Sequence, residues 1–175
     1  VLARDGGAVV PPARLLQLAE YLSTTLRETA AASSPDDLYT RAFACYTLAL
    51  IGRAEPAYHD VLSQKAALLP HPARALLAMA ILHTGGTHDR VLALLNAPLN
   101  RNLDDWNTAL FDSRLTALNL MVWTRLDPVA PTTVSLSARL LNERTSAGHW
   151  GSTYTNAWAL LALAAETKSQ NPAAT

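Results

Sequence analysis

The run from Ala147 to Ala164, Ala-Gly-His-Trp-Gly-Ser-Thr-Tyr-Thr-Asn-Ala-Trp-Ala-Leu-Leu-Ala-Leu-Ala, constrains this chain more than any other stretch. A glycine-flanked aromatic turn leads into a Ser-Thr pair. Ser152 or Thr153 can accept from the orphan N–H groups of a first helical turn. Beyond Asn156 no polar side chain occurs until Glu166, so the helix is expected to be apolar on most of its circumference. A helix of that kind is buried between other helices rather than laid on a surface. The rest of the chain must then supply the helices that bury it.

At 175 residues the chain is long enough for one domain with a real core. The expectation is a single helical domain over 1–175, with a frayed tail at 169–175. Half of the residues are hydrophobic, and most of these are Ala and Leu rather than β-branched or aromatic, which is helical composition. Fourteen basic and fourteen acidic side chains cancel without clustering, which argues against nucleic acid or anionic lipid as the main partner. No apolar run reaches the roughly 18 residues of a membrane span. The chain opens at Val1 without Met or a signal-like basic segment, so it reads as a piece of something larger. A single cysteine, Cys45, excludes an internal disulfide and a cysteine-rich zinc site.

Eight helices follow from periodicity and punctuation. The first spans about 13–31 after Pro11-Pro12, with Leu15, Leu18, Leu22 and Leu26 at helical spacing. Ser34-Pro35-Asp36-Asp37 is a complete start signal for the second, which ends at Gly52. The third runs about 57–69, the fourth 72–83 up to Gly85-Gly86, and the fifth from Thr87 to Leu95. A polar connection over 96–107 precedes the sixth, about 108–125; the seventh spans about 132–145 and the eighth 152–167. Helices two, four, six and eight are alanine-rich and apolar, whereas the odd-numbered ones are amphipathic. Centres of the apolar set recur every 30 to 40 residues or so, the range of helical-hairpin repeats. Alternating enclosed and half-exposed helices imply an inner layer wrapped by an outer one. A straight solenoid does not need one helix of each pair to be this apolar, so the expected fold is all-α, an α/α toroid or a large arc of one.

The search for chemistry finds little. Histidines stand at 59, 71, 83, 88 and 149, with His83 and His88 straddling Gly85-Gly86 and Asp89 behind them. A metal needs three convergent ligands, and a turn carrying two is better read as loop histidines. Cys45 lies among Ala42, Tyr46 and Ala49, the setting of an inert core thiol. The carboxylate pair Asp36-Asp37 belongs to helix capping and Asp104-Asp105 to a polar loop. Trp106, Trp123, Trp150 and Trp158 read as wedges between helices rather than a substrate platform. No nucleophile-base order, phosphate-cradling glycine loop or HExxH pattern is present. No catalytic, cofactor-binding or metal-ligating residue is therefore assigned, and no cofactor is expected.

The opening stretch has a second meaning. Gly148 to Leu163 resembles the "W-x-S-T-x-x-T-x-x-A-L-x-A-L" end of the thioester domain of bacterial alpha-2-macroglobulins. Tyr39 to Gly52 resembles that domain's "Q-A-Y-A-L-Y-V-L-A-L-x-G" helix, and Phe111 to Leu120 its "S-x-x-R-D-x-A-L-x-L" helix. The similarity extends from about Pro12 to Ala165. It implies a toroid of six hairpins, of which this chain supplies about the last four. It also implies a large secreted or periplasmic peptidase trap, often membrane-anchored, whose partners are peptidases and the other domains of its own chain. The family's thioester joins the Cys and Gln of Cys-x-Glu-Gln, but Cys45 is followed by Tyr46-Thr47-Leu48, so no thioester lies within this chain.

Three functions compete on these residues. The favoured one is non-enzymatic: part of a broad-spectrum endopeptidase inhibitor that changes shape when its bait segment is cut. A toroid enzyme of terpene cyclase type is the second, since Thr145 to Trp150 faintly resembles "Q-x-x-x-G-x-W", though without the Gln or an acidic motif. A plain helical-repeat scaffold is the third. An arc of four hairpins would also leave apolar faces open at both ends. Self-association through the faces carrying Leu15, Leu22, Leu160 and Leu163, or else folding only as part of a longer protein, is expected on that account.

Overall fold

The structure, a computed structural model, describes residues 7–28, 34–98 and 113–170. Among these residues all regular structure is helical. The chain divides into two compact units, 1–103 and 104–175. Unit one holds α1 (Pro12–Glu28), α2 (Pro35–Leu50), α3 (Pro56–Gln64), a 3-10 turn (Ala66–Leu68), α4 (His71–His83) and α5 (His88–Leu95). Unit two holds α6 (Ser113–Leu126), α7 (Pro131–Asn142) and α8 (Thr153–Gln170).

The helix starts follow local chemistry. Ser34 accepts from the Asp37 backbone N–H at 3.2 Å and donates to the Asp37 carboxylate at 2.6 Å, with Pro35 in the first helical position. The Asp36-Asp37 pair is thus part of a helix start. Thr87 caps α5 through the Arg90 N–H, and Ser152 caps α8 through the Thr155 N–H at 3.1 Å. Gly52 and Gly85 leave α2 and α4 at φ +71° and +75°, the left-handed conformation that glycine adopts without strain.

Three boundaries differ from expectation. α3 stops at Gln64 rather than near 69. Leu69 precedes Pro70 and is extended, so the chain tightens into a 3-10 turn before it. α7 stops at Asn142, because the Thr145 N–H donates to the His149 carbonyl and closes a tight turn around Gly148. α8 continues through Ser169 to Gln170, past the point where the tail was expected to begin. The first part of the sixth helix, Asp104-Asp105 and Trp106 lie outside the described residues.

Within unit one, α2 packs along α4; α1 lies on α2, α5 on α4, and α3 touches both. α4 is enclosed almost all round, with every residue from Pro72 to Ile81 buried. α2 buries Leu38, Ala42, Cys45, Tyr46 and Leu48, whereas α3 and α5 bury only His59 with Leu62 and Val91 with Leu94. Unit two repeats the scheme, with α6 packed along α8 and α7 set against α6. α6 buries Ala117, Leu118, Leu120, Met121 and Val122, while α7 buries only Thr133 and Leu140. α2, α4 and α6 are enclosed and α3, α5 and α7 half-exposed, as the sequence pattern demands of those six.

α8 departs from its expectation. Thr155, Trp158, Ala159, Ala162 and Glu166 form one buried face, but Ala157 and Ala164 are exposed and Leu160 is 59% exposed. Apolar composition on all sides made this helix compatible with burial on both faces. Among the described residues of its unit, one face of α8 is buried.

Candidate functional site

Polar side chains buried in the enclosed helices are the most specific constructions among the described residues. Arg74, in the first turn of α4, is 1% exposed. Its Nε donates to the Leu69 carbonyl at 3.0 Å, Nη1 to the Ala97 carbonyl and Nη2 to the Pro98 carbonyl at 3.2 Å. One guanidinium thereby joins the segment entering α4 to the segment leaving α5. Arg41 on α2 and Arg114 on α6 are also buried, and each is followed by an apolar residue: Arg41-Ala42, Arg74-Ala75, Arg114-Leu115. Arg114 places its guanidinium 5.4 Å from the centre of the Tyr154 ring, which meets Trp158 edge-on at 6.2 Å. Sequence reasoning passed over all three arginines. The signal was available as an arginine recurring 33 and 40 residues apart in α2, α4 and α6.

In α8 a polar side chain near the helix start, Asn156, makes a comparable tie. Its Oδ1 accepts from the Trp150 N–H at 2.6 Å, and the Trp150 indole N–H donates to the Leu140 carbonyl at 2.6 Å. Trp150 and Trp158 are both buried, as wedges must be, and Trp123 is half-buried. His149 lies exposed in the turn, where its Nδ1 accepts from the Gly151 N–H at 3.1 Å. The Gly-His-Trp-Gly-Ser-Thr segment is therefore a hydrogen-bonded clasp between the end of α7 and the start of α8. Ser137 on α7 adds a second tie, donating to Glu166 on α8 at 2.6 Å.

The remaining histidines are not loop residues. His83 closes α4 and its ring meets Tyr46 at 5.9 Å; His88 opens α5. Among the described residues no three His, Cys, Asp or Glu side chains converge as metal ligands. Cys45 is 1% exposed, and burial first, then the nearby Glu55 carboxylate, push its thiol up to about 12 against a lesser pull from Arg41. A thiol held in that state is not nucleophilic at neutral pH. His59, also missed as a core residue, is 1% exposed on α3.

No protein-family model, curated protein or solved structure matches the chain. The site must therefore be read from its own geometry. An open cleft in unit one lies between α1 and the 52–55 turn, lined by Leu16, Ala19, Glu20, Arg27, Arg53 and Glu55. Its most defined polar contact is Arg27 to Glu55 at 3.3 Å, an exposed pair of small energetic weight. The described helices include none long and apolar enough to cross a membrane.

Proposed function

We propose that this chain is a non-enzymatic part of the thioester-type α/α toroid domain of a bacterial alpha-2-macroglobulin-like peptidase inhibitor. The supporting observation is a pairing of layer pattern and motif. Enclosed α2, α4 and α6 alternate with the more exposed α3, α5 and α7, and the Trp150-Gly151-Ser152-Thr153 segment that resembles the family is the clasp on α8. A clasp with a buried indole bound to a backbone carbonyl and a hydroxyl capping the next helix explains why tryptophan and serine stand at those places. On this reading the chain's work is mechanical: a rigid helical body that carries and faces other domains of the full protein. The partners are peptidases engaged by that whole protein, in the periplasm or outside the cell, with any membrane anchor also supplied by the whole protein. Cys45 is core and takes no part in covalent capture.

The test uses the full protein in which this chain occurs, incubated with peptidases of unrelated specificity. A trap is cut in its bait segment and leaves the peptidase active on small peptides but shielded from protein substrates. Full peptidase activity on protein substrates after bait cleavage would overturn the proposal, as would turnover of a polyprenyl substrate by the protein itself.

A further inference from the structure

The open cleft of unit one continues into a second hollow. The first holds about 550 Å3 and the second about 180 Å3, and Leu16, Ala19 and Arg53 line both, so the two form one groove. One wall is a stripe of α1, with Leu16, Ala19, Glu20, Ser23 and Arg27 at helical spacing. The other wall is the 51–55 segment that joins α2 to α3. The groove stays open because Ala19, Gly52 and Ala54 offer little or no side chain to fill it, and a Cβ added at Gly52 would meet nothing within 4 Å. From Leu15 to Arg27 the stripe is about 18 Å long at 1.5 Å per residue, the reach of about five residues of extended chain.

The two parts differ in chemistry. The smaller hollow is apolar, lined by Pro12, Leu15, Leu16, Ala19 and Ile51, and carries one charge, Arg53. An apolar space of about 150 Å3 takes a benzene-sized group, so there is room for one side chain. The larger hollow is polar, with the Ser23 and Thr24 hydroxyls and the charges of Glu20, Arg27, Arg53 and Glu55. Arg27 and Glu55 pair with each other at 3.3 Å. The Arg53 guanidinium has no hydrogen-bond or ion-pair partner among the described residues, and neither has the backbone N–H of Ala54, the next residue. A cation shared by an apolar hollow and a polar one suits a carboxylate with an apolar group on one side and main chain on the other. The last residue of a peptide carries all three on a single Cα. We propose that this groove captures the free carboxyl end of a peptide: the last side chain, apolar, enters the smaller hollow, its carboxylate meets Arg53, and the preceding residues run along α1 towards Arg27.

A guanidinium presents a planar fork that matches the two oxygens of a carboxylate, which an amide end does not offer. Glu20, the other lining charge without a partner among the described residues, disfavours acidic side chains further up the peptide. The groove would therefore select for one terminal carboxylate after neutral or basic residues. Every cut by a peptidase creates such an end. The inference does not rest on the toroid reading, since it uses only α1 and the 51–55 segment of this chain.

Fluorescence anisotropy with the peptide Gly-Ser-Gly-Ser-Leu, labelled at its amino end, tests the groove on the whole chain without any peptidase. Saturable binding at roughly tens to hundreds of micromolar is expected, as suits one exposed ion pair and one covered side chain. The same peptide with an amidated end, or with Ser as its last residue, should bind about fivefold more weakly or worse. Arg53→Gln should bring the free acid down to the level of the amide, and Leu16→Glu should weaken both by obstructing the smaller hollow. Arg53 and Leu16 are exposed, so neither change threatens the fold, and unchanged helical circular dichroism checks this. No binding of the free acid up to about 1 mM overturns the proposal. Equal binding of acid and amide overturns it too, since the groove would then read main chain alone. Binding that survives Arg53→Gln or Leu16→Glu undiminished would place the peptide elsewhere and overturn it as well.

Discussion

Arg74 holds three carbonyl oxygens with one side chain, and all three belong to backbone that leaves or enters a helix. Hydrogen bonds from a charged donor contribute about 1.5–3 kcal/mol each, and a buried acceptor left unpaired loses its solvation as well. Arg74→Met should therefore destabilise unit one by roughly 3–5 kcal/mol, read as a fall in the denaturation midpoint. Arg74→Lys should recover little of that, because an ammonium on a flexible stem cannot reproduce a planar three-way fork. Full recovery by lysine would show that charge, not geometry, matters there. Composition offers no hint of this: arginine is read as a surface residue, and only the recurrence at 41, 74 and 114 marks it otherwise. His59 escaped for a related reason. Its polar neighbours Asp60 and Ser63 in sequence make the helix look wet, yet Asp60 is turned to solvent and the Ser63 hydroxyl is spent on the His59 carbonyl one turn back.

At the scale of elements, most of the fold was legible. Pro35 opened its helix where expected and Gly52 and Gly85 closed theirs, while α3 and α7 start on Pro56 and Pro131, one residue before the starts read from periodicity, because these residues act on their own backbone and need no tertiary partner. Boundaries that depend on what comes next were less legible: α3 ends early because Leu69 is buried in extended form before Pro70. The α4–α5 corner holds a further constraint. Gly85 takes the positive φ, but it is Gly86 that is tight: an added Cβ would meet the Ile81 carbonyl oxygen at 2.9 Å as well as the Ile81 side chain. Gly86→Ala should then push α5 away from α4 and cost about 1–3 kcal/mol, with the backbone around Ile81 having to shift. Gly85→Ala meets open space and should cost only about 1 kcal/mol, the price of a left-handed alanine. Equal effects in thermal unfolding of the two variants would contradict this placement of strain.

For the molecule as a whole, the question is what covers the second face of α8. Ala157, Leu160 and Ala164 lie one helical turn or two apart, with Leu161 half-buried beside them, and Leu160 is 59% exposed. On α1, Leu16, Leu18 and Tyr21 are exposed, whereas Leu15 and Leu22 are half-buried, so the open face there is broader than the one read from periodicity. A single helical stripe of this size buries a few hundred Å2, well short of the roughly 1,200 Å2 of a stable interface. Covering Leu160 contributes about 1–2 kcal/mol at that degree of exposure. The isolated chain should therefore associate weakly and reversibly, with the weight-average mass rising with concentration over tens of micromolar in sedimentation equilibrium. Leu160→Glu should bring the mass back towards the monomer while leaving helix content unchanged, because that side chain does not contribute to the buried face of α8. A chain that stays monomeric throughout that range would mean that Ala157, Leu160 and Ala164 tolerate water as scattered apolar residues do, and that α8 calls for no second partner.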